Sequence, residues 1–163
     1  MCGKQKCEVR KKLAGLLTKL QRVFKGRIEG EAHDKEAELK MSATMAIPSK
    51  LEDQLSKIVG LEANWDSYDA GKPNRVAVDH AREAVMLSER LFPHNIVASA
   101  EGGVALCWDQ GEKHAYIEFS NDGTAIMAKY EGKNDPCIKE FPPNKQAILE
   151  ALGEVYPFFP HAA

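Results

Sequence analysis

His114, Tyr116 and Glu118 alternate with Ala115, Ile117 and Phe119. In an extended strand this spacing puts the first three on one face and the second three on the other. Cys107 belongs to the preceding apolar run and reaches the first face if the register allows. A thiol, an imidazole and a carboxylate together supply a nucleophile, a base and an orienting group. Cys107, His114 and Glu118 are therefore the candidate catalytic residues of a hydrolase-like reading. Two considerations oppose it: outer faces of sheets are usually polar, and nothing near Cys107 in sequence supplies the positive field that lowers a thiol pKa.

Trp65, Asp66 and Tyr68 form a second set, offering two aromatic faces and a carboxylate as recognition groups. The alternative role is structural, with Trp65 anchored at the edge of the core and Asp66 ordering the loop as an Asx turn. His80 and Glu83 are three apart on a helical segment and share a face, but no third ligand lies near. His80 therefore reads as a half-buried structural histidine. The cysteines, Cys2, Cys7, Cys107 and Cys137, make no C-x-x-C pair, so zinc is not expected. Gly102 and Gly103 precede neither Gly-Lys-Ser/Thr nor a helix, which excludes a phosphate loop. The sequence implies no cofactor and no metal.

The elements that must position these residues follow from periodicity. Residues 8–25 read as a helix, with Val9, Leu13, Leu16, Leu17, Leu20, Val23 and Phe24 in one stripe and Gly26 as its stop. Ser49 is expected to cap a short helix, with Glu52 as its capping-box partner and Leu51, Leu55, Ile58 and Val59 facing inward. A loop over 61–73 leads to Asn74, the expected cap of a helix over 75–92 buried through Val78, Ala81, Ala84, Val85, Leu91 and Phe92. Strands are expected over 96–100, 104–109, 114–120 and 124–130, joined by short glycine-containing turns. A short extended piece can follow Pro136, and Pro142-Pro143 opens a last helix over 143–155 with Ile148, Leu149, Leu152 and Val155 buried. The expected class is α+β: an antiparallel four-stranded meander packed with helices and preceded by an amphipathic N-terminal helix. The domain plan is a basic arm over 1–28, a charged connector over 29–47 and an α+β domain over 48–163.

Two motifs, Asn64-Trp65-Asp66-Ser67-Tyr68-Asp69-Ala70 and Gly102-Gly103-Val104-Ala105-Leu106-Cys107-Trp108, resemble those of an uncharacterised family of small bacterial proteins. That family carries an NWDGYGA-like loop and, some 40 residues later, a GGVxLEW-like strand. The resemblance covers roughly residues 50–130. It departs at Ser67 and Asp69, where the family's glycines would sit, and at Cys107, where an acid is usual. It implies a bacterial origin and the fold, and carries no activity.

Of 163 residues, 44% are hydrophobic and 28% charged, which fits a globular chain with a core of its own. Neither a signal peptide nor an apolar run of about 20 residues is present, so the expected compartment is the cytoplasm, with reduced thiols. The net charge of −2 conceals an asymmetry. Residues 1–28 hold nine basic side chains against Glu8 alone, a surplus of eight, which leaves the remainder at −10. A basic helix with a clean apolar stripe can cover its own body, dimerise, dock on a partner, bind nucleic acid or lie on an anionic membrane. No aromatics interleave with its lysines, which weighs against single-stranded nucleic acid. The expected function is a non-enzymatic bacterial protein-interaction module. Its binding residues are Leu13, Leu16, Leu20 and Val23 in the arm and Trp65, Asp66 and Tyr68 in the loop. The rivals are the hydrolase and an accessory protein acting on nucleic acid or in phage–host conflict.

Overall fold

The computed structural model describes residues 47–159. The expected arm helix and all but the last residue of the connector lie outside the described residues. The chain runs through α1 (Ser49–Val59), α2 (Arg75–Leu87), β1 (Asn95–Ala98), β2 (Val104–Gln110), β3 (Lys113–Phe119), β4 (Ala125–Glu131), β5 (Cys137–Phe141), α3 (Lys145–Val155) and a 3₁₀ turn, Tyr156–Phe158. The strands form one antiparallel sheet in the order β1-β2-β3-β4-β5. The α+β class and the meander are as expected, but the strands number five rather than four. β5 pairs with β4 from Ala125↔Phe141 to Lys129↔Cys137. Its Cys137, Lys139 and Glu140 are exposed, so an edge strand of this kind carries no apolar alternation to announce it.

Each helix buries one stripe. Leu51, Leu55 and Ile58 of α1 lie four and three apart and are buried. Pro48, not Ser49, is the N-cap, and its carbonyl accepts from Leu51 N and Glu52 N, so no capping box forms. Val59 is exposed because it lies one position past that stripe. In α2, Asn74 Oδ1 accepts from Ala77 N at 2.9 Å as expected of a cap. The helix stops at Leu87, short of the expected 92, where the Ser88 hydroxyl donates to Val85 O at 2.8 Å and competes with the next helical bond. Leu91 and Phe92 pack on the core from the following loop. Asn144 caps α3 through Ala147 N, in place of the expected Pro143 start, and Leu149 is exposed while Ala151 is buried.

One core results. The buried sides of all three helices gather with Ile96, Leu106, Trp108, Ile117, Phe119 and Met127 on a single face of the sheet. Trp108 is fully buried there, and its indole N–H donates to Leu91 O at 3.0 Å.

Candidate functional site

The register settles which residues share the opposite face. Cys107 lies opposite Tyr116, Ala105 opposite Glu118, and Asp109 opposite His114. On the next strand Ala128 faces Tyr116, Tyr130 faces His114 and Ile126 faces Glu118. The structure therefore brings Cys107, His114, Tyr116 and Glu118 onto one surface and adds Asp109 and Tyr130. Asp109 was legible by the same two-residue step from Cys107.

His114 Nδ1 is 2.6 Å from Asp109 Oδ1, and its ring stacks on Tyr130 with centroids 4.8 Å apart. Asp109 N donates to His94 Nδ1 at 2.9 Å, so the turn before β1 reaches the same corner. The geometry orients the imidazole, but no exposed thiol stands beside it among the described residues. Cys107 is buried, and its thiol is pushed far up, first by desolvation and then by the charges of Asp109 and Glu118. A thiol so held is protonated at neutral pH and a poor nucleophile. Burial raises the Glu118 carboxyl and Glu101 adds to it, while a hydrogen bond from Ser99 opposes the shift. Burial, then Glu118, also raises the Tyr116 phenol. Asp109 Oδ2 and the Tyr116 hydroxyl are buried without a hydrogen-bond partner.

The loop of the first motif is a self-contained device. Asp66 Oδ1 accepts from Tyr68 N at 2.8 Å and Ala70 N at 3.1 Å, which is the expected Asx turn. Asn64 Oδ1 accepts from Asp69 N at 2.8 Å, and Asn64 N donates to Ala70 O at 2.7 Å. Asn64, Ser67 and Asp69 all have positive φ, at 62°, 62° and 67°. Ser67 and Asp69 thus hold the left-handed backbone that a glycine would adopt without strain. Trp65 is half-buried rather than a core residue, and its indole N–H donates to Gly71 O at 3.3 Å. Tyr68 is 78% exposed.

The two motifs meet. Gly71 N donates to Ala100 O, and a Cβ on Gly71 would lie 3.2 Å from the backbone of Glu101 and Gly102. A Cβ on Gly103 would come 2.6 Å from Phe119 O and 3.0 Å from the Glu118 carboxylate. Asn121, in the β3–β4 turn, accepts from Asn74 N at 2.7 Å and donates to Lys72 O at 2.8 Å. Loop, β1–β2 turn and β3–β4 turn are therefore tied into one end of the sheet, which sequence reasoning did not foresee.

His80 is half-buried and edge-on to Phe119, with centroids 6.2 Å apart. Among the described residues no group of three His, Cys, Asp or Glu could hold a metal, and no helix is long and apolar enough to cross a membrane. Leu13, Leu16, Leu20 and Val23 lie outside the described residues. No protein-family model matches the chain, and no curated protein or solved structure matches it either.

Proposed function

We propose that this chain is a non-enzymatic bacterial protein-interaction module of the cytoplasm, acting through the apolar stripe of residues 8–25 in self-association or docking on a protein partner. The observation that carries the reading is the state of Cys107: a buried thiol held protonated beside Asp109 and Glu118, on a face whose imidazole is already engaged. That arrangement supports a packing surface over a hydrolytic one. The stripe itself argues for contact with an apolar surface. Each buried leucine is worth roughly 1.5–3 kcal/mol. Leu13, Leu16 and Leu20 together therefore outweigh several exposed ion pairs at about 0–1 kcal/mol each.

Sedimentation at low and high salt tests the reading. Leu16→Asp with Leu20→Asp is expected to release a monomer or a loose arm, and salt is expected to change the parent little. Charge reversal at Lys11, Lys19, Arg22 and Lys25 is expected to slow association without abolishing it, since long-range attraction acts mainly on encounter rates. Loss of association in the charge-reversal variant alone, with steep salt dependence, would transfer the function to nucleic acid or anionic lipid.

A further inference from the structure

The sheet keeps its charges on separate sides. By register Lys113, Lys129 and Lys139 stand with Ala115 and Met127, on the side that the helices cover. Two of them, Lys129 and Lys139, pair with Glu154 of α3. Asp109, Glu118 and Glu140 fall on the other side, with Cys107, Tyr116 and Tyr130. Among the described strand residues that side carries no lysine or arginine, and its one imidazole, His114, is already held by Asp109 Oδ1 at 2.6 Å. The uncompensated charge acts on its neighbours. Cys107, Tyr116 and Tyr130 are all pushed up, by burial first and next by the carboxylate of Asp109 or Glu118. Two hydrogen-bonding atoms there are buried and unmatched, Asp109 Oδ2 and the Tyr116 hydroxyl, the latter on a residue only 4% exposed. Asp109 and Tyr116 are diagonal neighbours across β2 and β3, about 7–8 Å apart, a separation that long side chains bridge.

We propose that this corner of the sheet binds a primary ammonium group carried on an aliphatic chain, seated between Asp109 Oδ2 and the Tyr116 hydroxyl. The site draws on none of residues 8–25, so it adds to the docking function rather than replacing it. The free atoms select the ligand. Both accept an N–H, and the carboxylate calls for a positive charge. A guanidinium makes its characteristic pairing with two carboxylate oxygens, and Asp109 has one left because His114 takes the other. An ammonium is a compact charge with three donors and needs only one oxygen from each partner. The rings suit it as well. His114 stacks on one face of Tyr130 and leaves the other, and a cation over a tyrosine face is attracted by the ring. Cys107 and Ala128 flank Tyr116 with small side chains and Ile138 continues the row, which gives a methylene chain an apolar bed. Asp109, His114 and Tyr130 are half-buried and form the open end of the site, with Tyr116 and Cys107 buried behind them. A free alkylamine and the lysine side chain of a protein partner both carry this chemistry.

Tyrosine signals test the site. The full chain is labelled with ring-13C tyrosine, which places probes at Tyr68, Tyr116, Tyr130 and Tyr156. n-Pentylamine and Nα-acetyl-lysine amide are titrated through the millimolar range expected of such small ligands. n-Pentanol and the Nε-acetylated lysine amide are their uncharged counterparts. The Tyr116 and Tyr130 signals are expected to move and saturate with the amines, while Tyr68 and Tyr156 stay and the uncharged compounds bind at least about tenfold more weakly. Tighter binding of n-pentylamine marks a free amine as the source, and tighter binding of the lysine derivative marks a partner's lysine. Asp109→Asn is expected to weaken binding about tenfold or more, as loss of a charge-assisted hydrogen bond does. Tyr116→Phe, followed at Tyr130, is expected to weaken it about threefold or more with the near-ultraviolet circular dichroism retained. If Asp109→Asn does not fold, Tyr116→Phe decides alone. No saturable shift at Tyr116, an equal response to the uncharged compounds, or unchanged affinity in Tyr116→Phe would overturn the proposal.

Discussion

Ser67→Gly is expected to stabilise the protein. Ser67 sits at φ 62°, where an L side chain crowds the backbone. The left-handed conformation costs a non-glycine residue about 1–2 kcal/mol. A glycine relieves that cost but gives the unfolded chain more freedom, worth about 0.4–1 kcal/mol in the opposite direction. The balance is a gain of about 0.5–1 kcal/mol, and in a chain of this size that raises Tm by about 1–4 °C. The backbone bond that matters, Ser67 N to Asn64 O at 3.0 Å, is kept by the variant. Asn64→Gly is the control: Asn64 also has positive φ, but its Oδ1 holds Asp69 N, so the forfeited hydrogen bond, worth about 0.5–1.5 kcal/mol, offsets the relief and Tm is expected to rise less than in Ser67→Gly. Scanning calorimetry of the full chain decides. A Ser67→Gly protein no more stable than its parent would show that the loop stores no strain at this position.

Trp108→Ala is expected to cost about 3–5 kcal/mol, because the residue is fully buried and bonded to Leu91 O. Trp65→Ala is expected to cost about 1–2 kcal/mol, since only part of its ring is covered and its bond to Gly71 O is long; urea unfolding of both variants gives the order, and a reversed order would refute it. Glu118→Gln is expected to be more stable than the parent at neutral pH. The folded state holds the Glu118 proton above the ordinary 4.5, so the stability it lends is complete below 4.5 and is lost as pH rises through the folded value; the variant's advantage in Tm should grow across that window, and a constant difference would refute the desolvation argument. Cys107 is expected to alkylate more slowly than the exposed Cys137 throughout the pH range below the usual thiol value, read by mass spectrometry, and an equal or faster rate would revive the nucleophile.

The parts of the fold that rest on period were legible. Val78, Ala81, Ala84 and Val85 step at helical spacing and are buried, and the alternation over 114–119 gave both faces of β3. What failed was local chemistry at ends and edges. Ser88 stops α2 with its own hydroxyl although the apolar pattern runs on to Phe92. β5 was legible only as a short extended piece after Pro136 and not as a fifth strand of the sheet, because an edge strand with one solvated face needs little apolar content. The two tryptophans differ for a similar reason. Trp65 stands in a motif full of polar turn residues and is half-buried, whereas Trp108 sits inside a continuous apolar strand and is the larger anchor. On the candidate face, single-strand alternation identified His114, Tyr116 and Glu118. Placing Cys107 against Tyr116 required a cross-strand register, which one strand's sequence does not specify.

The most conspicuous residues of the chain turn out to divide into two kinds. Asn64, Asp66, Gly71, Gly103 and Asn121 are accounted for by closure of one sheet end, where backbones approach too closely for a side chain and loop N–H groups need acceptors. The second sheet face is different in kind. Two polar atoms, Asp109 Oδ2 and the Tyr116 hydroxyl, are buried without partners, and each such group costs about 1–3 kcal/mol relative to a satisfied one. A surface kept for packing alone would be relieved by Phe at position 116, which keeps the ring and removes the orphaned hydroxyl. Tyr116→Phe therefore separates the two uses of this face. If the face only packs, the variant gains stability and loses nothing. If a partner completes the tyrosine's hydrogen bond, the gain in stability is accompanied by weaker partner binding.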